Sequence, residues 1–298
     1  MIKGFKVGHF TQKEKGYGAT VILSDEGCVG GVDVRGSAPG TRETDLLRGC
    51  KAVERINAVC LSGGSAFGLE ACDGVMRFLS EKGKGFFTGT YYVPIVCGAV
   101  IYDLDYKSFG FTSREEGYAA CQNACENPEW GNVGAGTGAT VGKIFGMENC
   151  SKGGIGYSEL TFGNLQIGAI VCTNAFGDVF DLYDNAKIIA GAKKDGKFVN
   201  TSKFILQNSV TSTEKGKNTT IGCLLTNAKI TREQGNKLAS LSQNGLALAI
   251  SPVHTMLDGD TMFALSSGEI ECDFNILCNA APEVVRQAVI KAVSYGRD

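Results

Sequence analysis

Apolar residues fall along this chain in short runs bounded by glycine or polar positions: Ala19 to Leu23, Ala58 to Leu61, Ile95 to Tyr102, Leu165 to Cys172 and Ile221 to Leu225. Runs of that length and flanking read as strands. Between them the period changes. Leu46, Leu47, Cys50 and Val53 share one helical face, and Leu69, Cys72, Val75, Met76 and Leu79 share another that Gly83 closes. Thr231 followed by Gln234 forms a capping-box signature ahead of Leu238 and Leu241, and Pro282 stands where a first-turn proline opens the last helix. Some strands are half-buried and others continuously apolar, with few helices between them, which favours layered sheets with helices outside over an all-parallel doubly wound fold.

The 298 residues show no composition break, so a single domain spanning 1–298 is expected. The hydrophobic pattern lapses for long only from Lys193 to Asn218, which is rich in Lys, Thr, Ser, Asn and Gly. Charge is nearly balanced, 29 basic against 31 acidic residues, so neither a nucleic-acid backbone nor an anionic membrane is an expected partner. The uncharged stretch Gly85 to Tyr102 contains Pro94 and reads as a buried strand rather than a membrane span. Twelve cysteines with no long apolar core after Met1-Ile2-Lys3-Gly4-Phe5 point to reduced thiols in a cytoplasm.

The residues exclude several chemistries. Only His9 and His254 offer an imidazole to a serine or cysteine triad, and each reads on its own as a structural histidine. Cys121 and Cys125, four apart, fall on one helical face but lack the paired knuckles of a zinc site. Asp258-Gly259-Asp260 lacks the alternating ligands of a calcium loop, so no metal is expected. In Gly134-Ala135-Gly136-Thr137-Gly138-Ala139-Thr140-Val141-Gly142-Lys143 the spacing fails both the Walker loop and the dinucleotide fingerprint, so no cofactor is expected. What is left is a hydroxyl made into a nucleophile by chain cleavage. In Lys217-Asn218-Thr219-Thr220-Ile221 a polar loop runs into an apolar strand; opening the Asn218-Thr219 bond would give Thr219 a free α-amine, near pKa 8, beside its own hydroxyl. On these residues alone the stretch is also an ordinary surface loop entering a strand.

The wider pattern resembles a known family. Leu61-Ser62-Gly63-Gly64-Ser65-Ala66-Phe67-Gly68-Leu69-Glu70-Ala71, Pro94-Ile95-Val96, Asn132-Val133-Gly134-Ala135-Gly136-Thr137-Gly138, Gly153-Gly154-Ile155-Gly156, Asn218-Thr219-Thr220-Ile221-Gly222 and Asp258-Gly259-Asp260-Thr261 look like blocks of the L-aminopeptidase/D-esterase (DmpA-like) peptidases, in family order. The resemblance implies a four-layer α/β/β/α sandwich, also seen in the ornithine acetyltransferases, a homotetramer, and self-cleavage into 1–218 and 219–298. It implies hydrolysis of amino-terminal residues from short peptides, amides or esters, with Thr219 as nucleophile and Asn174 as oxyanion donor. Asp258 and Asp260 fall where members carry a serine and a glutamate that assist the nucleophile, and Tyr102 is matched to an active-site tyrosine of some members. Gly63, Gly64, Ser65, Gly134, Gly136 and Thr137 are then expected to line the substrate pocket. Two other readings stay open: acyl transfer of the ornithine acetyltransferase type, and an uncleaved, non-catalytic binding homologue.

Overall fold

A computed structural model describes residues 1–184, 186–210 and 217–295. All five apolar runs form strands, and the five longest strands of the fold are Tyr17–Val34, Gly154–Phe162, Leu165–Asn174, Thr219–Ala228 and Thr261–Ile270, with the last two parallel to each other. Arg55–Ser62 and Val96–Val100 complete a second parallel pair. Tyr17–Val34 joins the two groups: Ala19 to Leu23 pairs with Arg55–Ser62, and Val29 to Val34 pairs with Thr261–Ile270. Between those halves the register slips, with Gly27 at φ 72°, so one long strand passes from one sheet region to the other.

Side-chain alternation turns this topology into layers. Val59 and Leu61 share a buried cluster with Ile170, Cys172, Ile221, Cys223, Leu225, Phe263 and Leu265, so the inner faces of both sheet regions pack on each other. The intervening residues face outward. Ala58 and Cys60 pack against the Ala71–Glu81 and Arg114–Gln122 helices, whereas Leu224, Met262 and Ala264 pack against Arg232–Ala249 and Phe274–Tyr295. The result is helix, sheet, sheet, helix, as expected. Truncating a fully buried side chain at the heart of either outer interface, such as Leu224→Ala, removes about 2–5 kcal/mol of stability.

Local rules explain most elements, and three expectations are corrected. The Thr231 capping box forms with both of its bonds, Gln234 N–H to Thr231 Oγ1 at 3.3 Å and Thr231 N–H to Gln234 Oε1 at 2.9 Å. Close approach between that helix and the Tyr17–Val34 strand needs glycine, since a Cβ on Gly31 would come within 2.2 Å of the Gly235 backbone. Leu46 to Val53, however, is not a helix. Only Asp45–Leu47 makes a 3₁₀ turn, because Cys50 at φ 63° breaks the helical path. Pro282 does not open the last helix but lies inside Phe274–Tyr295, where Leu277, Ala281, Val284 and Val285 bury a continuous stripe that outweighs one missing backbone donor. Cys121 and Cys125 do not share a helical face, since the helix ends at Gln122; Cys121 is buried and Cys125 exposed. All twelve cysteines are free thiols.

The polar stretch after Lys193 also holds more structure than its composition suggests. The Thr201–Asn208 helix forms within it, capped by the Asn200 side chain accepting from Lys203 N–H at 2.9 Å; residues 211–216 lie outside the described residues. No helix among the described residues is long and apolar enough to cross a membrane. Gly85 to Tyr102 divides instead into an exposed hairpin, Phe86–Phe87 with Tyr92–Val93, and the buried Val96–Val100 strand.

Candidate active site

Three strand ends meet at one edge of the sheet. Asn174 ends its strand opposite Thr219, the first residue of the neighbouring antiparallel strand, and Asn218 bridges Asp258 just before Thr261 begins the next. Register therefore gathers Asn174, Asn218, Thr219, Asp258 and Asp260, all buried. The Thr219 hydroxyl donates to the Asn218 carbonyl oxygen at 2.5 Å, and Gly259 N–H donates to the same oxygen at 2.9 Å. Only glycine fits there, since a Cβ on residue 259 would stand 2.9 Å from Thr219 Oγ1 and 2.5 Å from the Ala38 carbonyl oxygen.

The acidic pair is fully engaged. Asp260 accepts from Thr220 N–H at 2.7 Å with one oxygen and, with the other, from His254 N–H at 3.1 Å and His254 Nδ1 at 2.8 Å. Asp258 accepts from Phe176 N–H at 3.3 Å and from the Thr255 N–H and hydroxyl at 3.0 and 2.5 Å. Burial, reinforced by the neighbouring Asp260 charge, pushes the Asp258 carboxyl up to about 6. His254, expected to be a structural histidine, folds back with φ 57° onto the acidic pair.

Lys143 stands between Asn174 and the backbone just before Asn218. Lys143 Nζ donates to the Asn174 carbonyl at 2.9 Å, to Asn174 Oδ1 at 2.8 Å and to the Lys217 carbonyl at 3.3 Å. Burial pulls its ammonium down to about 7. The sequence clue was a lone lysine inside a long run of glycine and apolar residues, where a solvated charge is out of place. Asn174 is pinned in turn: Oδ1 also accepts from Thr140 N–H at 3.0 Å, and its amide donates to the Tyr102 carbonyl at 3.0 Å.

A cleft beside Asn218 is lined by Tyr102, Asp103, Asp105, Tyr106, Lys143 and Phe176, among others. Burial pushes Asp103 up to about 7; one of its oxygens accepts from Gly64 N–H at 2.6 Å, and the other has no partner among the described residues. The Gly63-Gly64-Ser65 turn packs on Asp103, leaving no room for a Cβ at residue 63, which would come within 2.1 Å of the carboxylate. Gly134, Gly136 and Thr137 lie elsewhere, in a turn packed on His9, Thr20 and Ile155. His9 bonds Thr20 Oγ1 at 2.9 Å across to the paired Tyr17–Val34 strand, and burial lowers its pKa to about 4.

This layering is the fold of two solved aminopeptidases. The structure matches the L-aminopeptidase D-Ala-esterase/amidase of Ochrobactrum anthropi, described as a variant of the amino-terminal-nucleophile hydrolase fold, with a TM-score of 0.72 at 19% identity over 100% of this chain and 85% of that one. A Burkholderia β-aminopeptidase matches with a TM-score of 0.72 at 18% identity over 98% and 84% of the two chains. In sequence, an uncharacterized aminopeptidase of Mycobacterium leprae is 38% identical over 91% of this chain and 78% of its own. A 6-aminohexanoate-oligomer endohydrolase of Agromyces is 32% identical over 90% and 74%. The profile of peptidase family S58 covers residues 2–298, and the chain belongs to that family. Membership of that peptidase family makes it a hydrolase acting on a peptide or amide.

Proposed function

We propose that this chain is a self-processing aminopeptidase/amidase that cleaves its own Asn218–Thr219 bond and then uses Thr219 as an amino-terminal nucleophile. The observation that carries this reading is the Thr219 hydroxyl lying 2.5 Å from the Asn218 carbonyl oxygen, with a backbone donor already on that oxygen. In the first step the Lys143 amine takes the hydroxyl proton and Oγ1 attacks the Asn218 carbonyl carbon. Gly259 N–H holds the oxyanion, and the C–N bond breaks as the proton passes to the Thr219 nitrogen. Water then hydrolyses the ester, leaving a carboxylate on Asn218 and both amine and hydroxyl on Thr219. The two carboxylates do not have to supply the base, since Asp258 and Asp260 are occupied in holding the loop that carries Gly259.

In turnover the Thr219 amine or Lys143 activates the hydroxyl against a substrate amide, with Gly259 N–H and the Asn174 amide as oxyanion donors. Both curated activities among the relatives cut amides, which favours hydrolysis of short peptides and aminoacyl amides or esters. A cytoplasmic homotetramer belongs to the same reading; the exposed Phe86, Phe87, Tyr91, Tyr92 and Val93 hairpin is its candidate contact face, and light scattering measures the assembly. Intact mass under denaturing conditions tests the core of the proposal. Fragments 1–218 and 219–298 are expected, and Thr219→Ala should stay whole and inactive; an active, unbroken chain overturns it.

A further inference from the structure

The cleft contains a cation already seated on an acidic receptor. Lys217 Nζ lies 2.8 Å from Asp105 Oδ2 and 5.6 Å from the centre of the Tyr102 ring. Tyr102 hydroxyl donates to the other Asp105 oxygen at 3.0 Å, so the tyrosine both orients the carboxylate and offers its π face to the charge. Lys217 immediately precedes Asn218, on the acyl side of the bond proposed to open. In the uncut chain the protein's own acyl-side segment therefore fills this part of the cleft with a primary ammonium.

We infer that Asp105, oriented by Tyr102, is the subsite that receives the free ammonium of a substrate's acyl portion, and that Lys217 occupies it until the chain is cut. The inference rests on the proposed self-cleavage. Once Asn218 becomes a chain end, residues 217 and 218 are tied to the chain from one side only, and the acyl half of an incoming peptide must enter where they lay. Other carboxylates nearby are poor receptors. Asp258 and Asp260 each already accept three hydrogen bonds, and Asp103 is sealed beneath Gly63 and Gly138. Asp105 keeps 42% of its side chain exposed, and the Lys217 ammonium holds its carboxyl below the usual range, so it presents a full negative charge at the mouth. The ligand class is a compact primary amine on an acyl chain, which a trimethylated or acylated nitrogen would not replace, because the contact is a direct N–H to carboxylate bond.

The test uses the cleaved enzyme and Asp105→Asn, which keeps shape and removes charge. KM for lysyl-asparaginyl 4-nitroanilide, which repeats residues 217 and 218, should rise roughly 5- to 10-fold with kcat little changed, the scale of one partly exposed ion pair. Competitive inhibition by n-butylammonium, a stand-in for the Lys217 side chain, should weaken by a similar factor while that by n-butanol does not, and Asp105→Glu should restore both. An unchanged KM, or equal loss of butylammonium and butanol inhibition, overturns the subsite while leaving self-cleavage standing. A wild-type chain that neither cuts itself nor hydrolyses amides would instead overturn the functional reading and this inference with it.

Discussion

Asp260 and Lys143 flank the same segment and are treated in opposite ways. Asp260 is fully buried with three donors aimed at it, so its charge is compensated locally and the Thr220, His254 and Asp260 backbone is locked together. Lys143 is surrounded by carbonyl oxygens but not by a bonded carboxylate, and burial brings its ammonium close to neutrality at physiological pH. Polar satisfaction makes a scaffold, whereas incomplete compensation makes a group that can exchange a proton. The segment around Asn218 thus meets a compensated carboxylate on one flank and a partly neutral amine on the other.

Removing the proton acceptor should break the comparison hardest. Lys143→Met is expected to slow self-cleavage by at least about 100-fold while thermal stability holds or rises, because a buried amine is replaced by an apolar chain of similar length. The sign of its pH dependence follows from the lowered value: the amine is the working form, so in the wild type the cleavage rate should fall as pH drops below about 7 and level off above it. Mass spectra of freshly refolded protein across pH 5 to 9 would show this, and a flat profile removes Lys143 from the first step. Gly259→Ala probes the junction of the two sides. Its methyl would press on the Ala38 carbonyl and Thr219 hydroxyl and displace the N–H, so cleavage should slow by roughly 100-fold, as for loss of one oxyanion donor. Asp260→Asn should act on the scaffold instead. It turns an amide group toward the His254 or Thr220 donors and should cost about 1–3 kcal/mol, read as a lower melting temperature, with the folded fraction still cutting itself. A cleavage defect without loss of stability would reverse the assignment of that side.

Much of the frame was legible in the chain. The five apolar runs became strands because their lengths and glycine borders are local properties, and the Thr231 box formed because a cap needs only its own four residues. The failures were equally local. Leu46 to Val53 had helical spacing without a helical backbone at Cys50, and Pro282 reads as a start only if the helix before it is ignored. At the site, Thr219, Asn174, Asp258 and Asp260 were named in advance through the resemblance of whole blocks, and the strand register does bring them together. Lys143 and Asp105 were given no role, because neither sits in a motif that fits a known pattern, and His254 was read only as structural.

The sequence by itself determined the strands, the helical face that ends at Leu79, the near absence of imidazole and the peptide bond with a hydroxyl on its carboxyl side. Those depend on residue type and spacing within a few positions. Tertiary structure alone decided which lysine loses its solvent, which carboxylate is saturated and which one meets Lys217. Proton affinity and hydrogen-bond satisfaction are set by neighbours in space, and here those neighbours come from distant segments joined only by strand register and layer packing.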